Sequence, residues 1–380
     1  MYAASASRPA ITLVFIAFGV AIGALAGSMP SVMRNAGLDA ASFGLGLTIS
    51  TLLTVTAMSL GGKLARYSSN RQVLLAILPL FALTLMAYLT AQSPLWFFAA
   101  IPLMGLCFGL TDLFMNAEAV ALEHEAGRPI FMAFHGALSL AVGVAAVAAS
   151  FLSAKAGTWS VGALAAVLFA VTWIMVFRNL SGRQCVTGAA ASLAGLPNKT
   201  PLMLLGIAAG LIIAAETAAL LWSAKLLDDL MPALAAIAGI GAAFLGLCNA
   251  AVRFLGDRMR SYIGDMPLMI GSLILAIVSF AALGLSQSYV VSVLSFAGVG
   301  FGVALLIPCI LGLSARLVPE NRAGALSFVS LLTAVPRVFA PLAFGSMAEA
   351  FGTASAFGFV ALGLAAALVL ILAFARGQHI

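Results

Sequence analysis

Charged residues are scarce in this sequence of 380 residues. Asp, Glu, Lys and Arg make up 8% of the chain, whereas 63% of its residues are hydrophobic and the mean hydropathy is +1.16. A water-soluble domain carries about 25% charged residues, because water must solvate its surface. This charge content therefore excludes a soluble fold and indicates a chain whose apolar surface is solvated by lipid.

Cysteine and histidine are also rare, and neither forms a pattern that indicates chemistry. The four cysteines contain no CxxC pair, which argues against a disulfide or a thiolate metal site. The three histidines are too dispersed for a zinc or haem enzyme. Gly62 and Lys63 are followed by Leu64 rather than Ser or Thr, so no Walker motif for an ATP-driven pump is present. We expect no cofactor, no metal and no enzymatic activity. These residues are Cys107, Cys185, Cys248, Cys309, His124, His135 and His379.

Long apolar runs divide the chain into membrane spans. A helix needs about 20 apolar residues to cross about 30 Å of hydrocarbon. The first run is longer than the apolar region of a signal peptide and continues to Pro30, so we count it as a span. We predict an all-α membrane protein of about twelve spans. They lie near 11–30, 42–60, 73–92, 95–121, 130–152, 160–177, 201–223, 233–253, 267–285, 289–313, 325–347 and 355–375.

The distribution of Lys and Arg predicts the orientation, because short basic loops are retained in the cytoplasm. With the N-terminus inside, fourteen basic residues lie in inner loops or tails and three in outer loops, while Arg337 lies within span eleven. Both termini are therefore predicted to be cytoplasmic. The net charge of +6 is scattered over separate loops, which argues against nucleic-acid binding. The inner residues are Arg8, Lys63, Arg66, Arg71, Arg128, Arg178, Arg183, Lys199, Arg253, Arg258, Arg260, Arg316, Arg322 and Arg376; the outer ones are Arg34, Lys155 and Lys225.

The longest break between spans divides the chain into two related halves. We predict an N-terminal six-helix bundle at 1–177, a cytoplasmic linker at 178–200 and a C-terminal six-helix bundle at 201–380. Each half carries a related motif at the inner turn between its second and third spans. Repeated halves are typical of a carrier in which one bundle rocks against the other around a central site. The first copy reads Gly61, Gly62, Lys63, Leu64, Ala65, Arg66, then Asn70 and Arg71; the second reads Gly256, Asp257, Arg258, Met259 and Arg260.

These turns resemble the signature of the major facilitator superfamily, in which a Gly, an Asp-Arg pair and further basic residues recur. The resemblance extends over nearly the whole chain. It implies that the glycine permits close helix packing and that the Asp and Arg latch the turn to neighbouring helices in one conformation. The first copy lacks the Asp, and a short inner loop would be basic in any case. On this basis we assign a gating role to Gly62, Arg66, Arg71, Gly256, Asp257 and Arg258.

Spans four and five resemble a narrower group, the proton-coupled sugar-porter branch related to fucose permeases and its poorly assigned bacterial relatives. In that branch an acid four positions before an Asn on helix four serves proton coupling, and Asp112 and Asn116 match this spacing. Span seven is similar to those relatives near Trp222, but Leu221 stands where they often carry an acid. The matching residues are Asp112–Ala119, Gly127, Arg128, Pro129, Phe134, His135, Gly136, Ser139, Glu216, Ala218 and Trp222–Ala224.

Ionisable side chains within the spans are the strongest functional signal that the residues themselves give. A charge at mid-bilayer costs about 2.5 to 3.5 kcal/mol, so such a group normally faces the protein interior and has a partner. Asp112 and Asn116 share one helix face and together can line a cavity, although Asp112 is alternatively a permanent structural pair. Glu118 lies around the helix near the inner surface, as a gate or loop partner. The set predicted for substrate binding and proton coupling is Asp112, Asn116, His135, Glu216, Asn249 and Arg337.

Alternatives remain for several members of this set. His135 is either a proton relay or a satisfied packing group. Glu216 either faces a cavity or is a single exposed acid. Arg337 follows Pro336, where an irregular turn can face a cavity. It either clamps an anionic substrate or neutralises Asp112 or Glu216.

A secondary carrier fits these features better than a membrane enzyme or receptor. An enzyme would need a clustered nucleophile or metal set, and a receptor usually has an extra soluble domain. The expected partners are a small-molecule substrate, protons and the lipid bilayer of the bacterial inner membrane, and we expect a functional monomer. The resemblance favours a sugar-like solute and Arg337 favours an organic anion, while drug export is a further alternative.

Overall fold

The computed structural model of the protein describes residues 2–127, 130–182, 196 and 199–377, without the side chains of residues 2–6 and of Asp257. Within these ranges the chain is helical and contains no strand. A short 3-10 turn at Pro232–Ile237 precedes α8, and another at Pro319–Asn321 precedes α11. The helices are α1 (Tyr2–Ala36), α2 (Ala40–Leu64), α3 (Asn70–Leu89), α4 (Pro94–Ala126), α5 (Phe131–Lys155), α6 (Thr158–Asn179), α7 (Thr200–Leu230), α8 (Ile240–Ile263), α9 (Asp265–Leu285), α10a (Tyr289–Val303), α10b (Leu306–Leu317), α11 (Arg322–Phe351) and α12 (Thr353–Gly377).

The length and hydropathy of these helices are those of a multi-pass membrane protein. Eleven segments of the described chain are long and apolar enough to cross a membrane, with α10a and α10b counted as one span. α8 adds a shorter apolar segment at Ile240–Gly256, after which it carries Arg258 and Arg260. The predicted all-α membrane fold is confirmed. Which end of the molecule faces the cytoplasm stays a prediction.

Three predicted spans differ in detail from the observed helices. Span eight was expected at 233–253, but α8 begins at Ile240, because the preceding residues form the 3-10 turn, and it continues to Ile263. Span ten is interrupted between α10a and α10b. Span eleven was expected to contain an irregular turn near Pro336, yet α11 is continuous there. A proline removes only one helical N–H, and a long helix tolerates this loss.

Polar caps define the helix ends near the connecting turns. Asp39 accepts a hydrogen bond from the Ser42 N–H at 2.6 Å and caps α2. The same hydrogen bond holds the pKa of Asp39 below its ordinary value, so this carboxylate is charged near neutrality. Ser69 and Gln72 form a reciprocal capping box at the start of α3, and such caps contribute about 1 kcal/mol each. Gly127 ends α4 with φ of 61°, a left-handed conformation that favours glycine.

Each half of the chain packs largely against itself. We call α1–α6 the N-terminal half and α7–α12 the C-terminal half. In the first, α1 lies along α5, α2 and α3 pack on α4, and α3 packs on α6; in the second, α7 packs on α11 and α12, α8 on α10a, and α9 on α10a and α12. The backbone approach is close where small residues meet, since a Cβ added at Gly27 would lie 2.1 Å from the Ala146 carbonyl oxygen.

The two halves meet along three helix pairs, which are α2 with α11, α5 with α8 and α1 with α7. We call the end of the molecule that carries both chain termini the proximal end, and the opposite end the distal end. α2 and α11 cross near the distal end with almost no space between their backbones. A Cβ at Gly44 would lie 2.4 Å from the Pro341 carbonyl oxygen, and one at Gly345 would lie 2.4 Å from that of Ala40. This crossing therefore requires glycine on both helices.

Candidate functional site

An acid, an amide and an imidazole form a hydrogen-bonded chain between α4 and α5. Asn116 Nδ2 donates to the Asp112 carboxylate at 2.9 Å and to the Asp112 main-chain carbonyl at 2.8 Å. With its amide nitrogen on that side, Asn116 directs Oδ1 at His135 Nε2, 3.1 Å away. Since an amide oxygen only accepts, Nε2 of His135 carries the hydrogen in this arrangement. We call these three residues the α4–α5 cluster.

A second polar cluster lies in the C-terminal half, on α7 and α8. Asn249 Nδ2 donates to Glu216 Oε1 at 2.8 Å, and Arg253 Nη2 lies 3.6 Å from the same oxygen. Asn249 and Arg253 are four residues apart and therefore share one face of α8. The side chains of Glu216 and Arg253 are 24% and 31% exposed, so their attraction is screened and the pair can exchange partners. We call these residues the α7–α8 cluster.

Arg337 on α11 lies at about the same depth as Asp112 of the α4–α5 cluster. It is fifteen residues from Arg322 at the start of its helix, and Asp112 is fourteen residues from Ala126 at the end of α4, which places each about 21 to 23 Å from the proximal end. The charge of Arg337 acts on Asp112 across the two halves. Among the residues that the structure describes, Arg337 makes no hydrogen bond and no ion pair. Arg337 is thus a half-buried cation whose guanidinium N–H groups can donate hydrogen bonds to a further partner.

A cavity of about 390 Å³ separates α5 from α8 on the proximal side of these clusters. His135 of the α4–α5 cluster and Arg253 of the α7–α8 cluster both line it, and the charge of Arg253 acts on His135 across the cavity. The two clusters therefore face each other from opposite halves. The other described wall residues are Met132, Gly136, Ser139, Ala250, Phe254, Gly256, Arg260, Leu305 and Pro308.

Polar contacts between the halves close the distal end. Arg34 at the end of α1 forms an ion pair with Asp228 on α7 at 2.5 Å. Glu349 on α11 accepts a hydrogen bond at 2.9 Å from the N–H of Ala40, the first residue of α2. A carboxylate at a helix N-terminus is favoured by the helix dipole as well as by the hydrogen bond. Each half thus contributes a charged group that holds the other.

Aromatic packing continues this closure toward the middle of the membrane. Trp222 is buried, and its ring meets Phe43 of the other half at 5.8 Å and Phe344 of its own half at 4.9 Å between centroids. Farther along the pair of α2 and α11, the Leu342 N–H donates to Thr48 Oγ1 at 2.9 Å and again joins the two halves. The halves are therefore in direct contact on the distal side, whereas a cavity lies between α5 and α8 on the proximal side.

The turn between α2 and α3 is tied to neighbouring helices. Asn70 Nδ2 donates to the buried carboxylate of Glu118 at 2.7 Å, which joins the start of α3 to α4. Arg71 donates to the Phe177 main-chain carbonyl at 2.7 Å and lies 5.1 Å from the centroid of that ring. Arg66 is exposed. Glu118 is therefore placed as a partner of this turn, and Arg71 as a link to α6.

At the turn between α2 and α3, Gly61 rather than Gly62 makes the close contact with α4. A Cβ at Gly61 would lie 2.4 Å from Leu113 Cδ2, whereas one at Gly62 would meet no atom within 4 Å. The close packing that the resemblance implies for a glycine of this motif is thus found at Gly61, and the gating role of Gly62 stays a prediction.

The second copy of the turn motif lies in the proximal part of α8, within a continuous helix. A Cβ at Gly256 would lie 2.6 Å from Leu305 Cδ2, so this glycine admits the break between α10a and α10b. Arg258 is exposed. The side chain of Asp257 lies outside the described residues, as do Arg128, Pro129 and the central part of the predicted linker.

Arg253 is the site residue that the sequence analysis missed. It was counted among the inner-loop cations because span eight was expected to end at that position. The observed helix continues ten residues beyond it to Ile263, which leaves its guanidinium inside the site. Arg253 lies four residues after Asn249, and this spacing places both on one face of a helix. A predicted span eight that continued past Arg253 would have included it in the site.

The sequence has relatives over nearly its whole length, although no family model matches it. It is 27% identical over 362 residues to an uncharacterised MFS-type transporter of Yersinia pestis, with 92% of this chain and 91% of the relative covered. It is 28% identical over 355 residues to the membrane protein MosC of Rhizobium meliloti, with 92% of this chain and 86% of that protein covered.

Solved transporters share the fold. A variant of the nucleoside transporter NupG superposes with a TM-score of 0.79 at 17% identity, covering 97% of this chain and 99% of that chain. A bacterial homologue of the human lysosomal transporter Spinster, solved in an inward-facing and occupied conformation, gives 0.76 at 13% identity, covering 99% and 97%. At these identities the solved structures show a shared fold. The chain is thus similar in sequence to MFS-type transporters, those of the major facilitator superfamily, and has the fold of a multi-pass membrane protein.

Proposed function

We propose that the protein is a proton-coupled secondary transporter that moves a small polar solute across the membrane by alternating access. The observation that carries this proposal is the position of the α4–α5 cluster, the α7–α8 cluster and Arg337. Charged groups from both halves face one another at mid-membrane depth, next to a cavity. Because each such charge costs free energy in a bilayer, groups of this kind are typical of a transport path.

Alternating access requires a second state, in which the contacts at the distal end are broken. With both termini cytoplasmic, as the basic loops predict, the distal end is periplasmic and the cavity faces the cytoplasm. Release of Arg34 from Asp228 and of Glu349 from α2, with closure of α5 on α8, exposes the same site to the other side. The two states differ in which helix pairs are in contact, so a bound solute shifts their populations.

Asp112 and Arg337 are the groups that we assign to proton coupling. Their opposite charges attract each other across the two halves. Protonation of Asp112 removes the negative charge that attracts Arg337, and Asn116 then donates to a neutral acid instead of a carboxylate. The proton therefore changes how firmly the halves are held together, which is the coupling that a symporter needs.

Three chemical classes of solute are candidates for the transported substrate. The resemblance of spans four and five favours a sugar-like solute, and NupG, with the same fold, is a nucleoside transporter. An organic anion is the second candidate, favoured by the spare donors of Arg337, and drug export is the third. We treat the monomer as the functional unit, because one chain contains both halves of the path.

Counterflow in liposomes tests this proposal. Purified protein is reconstituted into liposomes loaded with one unlabelled solute, and entry of the same labelled solute is followed, with and without a pH gradient. The panel contains neutral sugars, sugar acids, nucleosides and dicarboxylates. We expect counterflow with one class and uphill accumulation when the pH gradient is imposed. Failure of every solute to exchange faster than in protein-free liposomes would contradict a carrier function.

A further inference from the structure

The cavity between α5 and α8 has a wall of unusual composition for a membrane protein. Its described polar side chains are His135, Ser139, Arg253 and Arg260, and no carboxylate is among the described residues that line it. Two guanidinium groups and an imidazole therefore face one space of about 390 Å³, a volume that admits a small solute.

Arg253 keeps most of its hydrogen-bonding capacity free for a ligand. Its Nη2 lies 3.6 Å from Glu216, beyond hydrogen-bond distance, and that oxygen already accepts from Asn249 at 2.8 Å. The other contact of this guanidinium is a long hydrogen bond of 3.4 Å from Nε to the Ala304 carbonyl. A guanidinium has five N–H donors in a planar fork, which matches the oxygens of a carboxylate or a phosphate.

Two further guanidinium groups, those of Arg260 and Arg316, lie at or near the proximal edge of the cavity. Arg260 donates to the carboxylate of Asp265 at 2.8 Å, and Arg316 pairs with the other oxygen of the same group. Asp265, which is 12% exposed, thus binds both of these guanidinium groups. A cavity with apolar walls and charges of one sign concentrates ions of the opposite sign.

We propose that this cavity binds the anionic group of the transported solute, with Arg253 as the main donor and Arg260 and His135 beside it. The inference rests on the proposed transport function, because it takes the occupant of the cavity to be the cargo. It narrows the polar solute to one that carries a carboxylate or phosphate group. A sugar acid or a sugar phosphate combines such a group with the sugar-like body that the resemblance favours.

The electrostatic part of the proposal is tested without any transport. Ser139 is replaced by Cys in a Cys185→Ala, Cys248→Ala background, where the remaining Cys107 and Cys309 are buried. The Ser139→Cys thiol is labelled with methanethiosulfonate reagents carrying a sulfonate or a trimethylammonium group, and each rate is divided by that of a free thiol in solution. We expect the sulfonate to be favoured by about tenfold or more.

Two matched substitutions test whether the cations of the cavity cause the faster labelling by the sulfonate reagent. Arg253→Gln is expected to lower the ratio about tenfold, whereas Arg322→Gln, at an exposed cation on the same end of the molecule, leaves it within about twofold. Equal normalised rates for the two reagents, or a ratio that Arg253→Gln does not change, would overturn the proposal. Gel filtration of each variant shows that the comparison is made on folded protein.

The nature of the occupant is tested by protection and by counterflow. Glucuronate and glucose 6-phosphate are expected to slow labelling of the Ser139→Cys thiol, while glucose is not, and wild-type protein is expected to exchange one of the two acids. Protection by phosphatidylglycerol but by neither acid would assign the cavity to a lipid headgroup and overturn the cargo assignment. Exchange of glucose without exchange of either acid overturns the anionic solute but leaves transport intact. Exchange of no solute overturns the proposed function itself.

Discussion

Arg337 is a cation at mid-membrane depth whose charge acts on Asp112 in the other half of the molecule. Leaving a guanidinium there without an ion pair is costly, since insertion of an Arg at the centre of a helix costs about 2.5 to 3.5 kcal/mol. Because the Arg337 side chain is partly exposed, hydration by water offsets part of this free-energy cost. We therefore propose that Arg337 pairs with a partner present in only part of the transport cycle, such as an ionised Asp112 or an anionic solute.

Replacement of Arg337 tests this role. Arg337→Ala is expected to lower transport of the solute found by counterflow at least about tenfold, and Arg337→Lys to recover little of it, because an ammonium lacks the planar donor fork. Arg322→Ala removes an exposed cation from the start of the same helix and serves as the control, with transport expected within about twofold of wild type. Normal transport by both Arg337 variants removes this residue from the site.

The sequence predicted candidate site residues where an ionisable side chain lies within an apolar membrane span. Asp112, His135, Glu216 and Arg337 were found because an ionisable group within an apolar run is rare and costly. Their partners were not predictable, because the approach of His135 to Asn116 and of Arg253 to Glu216 depends on how separate helices pack. Arg253 was missed for a related reason, since a cation near a span end is usually a loop residue that sets orientation.

The crossing of α2 and α11 is the element on which distal closure depends. Gly44→Leu is expected to hold these helices apart, because even a Cβ there would lie 2.4 Å from the Pro341 carbonyl. Transport should fall at least about tenfold while the protein remains folded. Gly363→Leu on α12, where a Cβ meets no atom within 4 Å, is the control and is expected to transport normally. Equal rates for the two variants would show that closure does not require this crossing.

The ion pair of Arg34 with Asp228 joins α1 to α7 at the same end. We expect Arg34→Asp and Asp228→Arg each to slow transport about three- to tenfold, and the double exchange to recover most of the rate. Lys225 and Asp229 form an ion pair within α7, and Asp229 also accepts a hydrogen bond from Thr353 of the same half. The same exchange at this pair leaves the contacts between the halves in place and is the control, with effects on transport expected to be small. A double exchange no better than its single variants would contradict a gate made by this pair.

Helix type and number were predictable because long apolar runs leave few alternatives, while helix ends and breaks were not. α8 was shifted by its 3-10 turn, and its basic proximal part lowered its hydropathy. α11 stays continuous through Pro336, since tertiary packing overrides a single missing hydrogen bond. The turn motif predicted the region where α2 meets α4, yet Gly61 rather than Gly62 makes the close contact.

At the scale of the whole molecule, the two halves meet differently at the distal and proximal ends. Ion pairs, a helix cap and aromatic packing hold the distal side, and the cavity separates α5 from α8 on the other. The clusters of the two halves lie between these regions, where either side can reach them in turn. In the proposed mechanism Asp112 carries the proton and Arg337 responds to its charge.

Asp112→Asn separates binding from coupling, because an amide resembles the protonated acid in shape but does not titrate. Counterflow of the solute is expected within about threefold of wild type, while accumulation driven by a pH gradient falls at least about tenfold. An Asp112→Asn variant that still accumulates solute against its gradient would remove Asp112 from coupling.

Proton movement during solute entry decides between a symporter and a passive carrier. Liposomes containing purified protein and the trapped pH dye pyranine are mixed with the solute found by counterflow, with no ion gradient imposed. We predict that the lumen acidifies as the solute enters, and that a protonophore or Asp112→Asn abolishes the pH change. Solute entry through the wild-type protein with no change in lumenal pH would contradict proton-coupled transport.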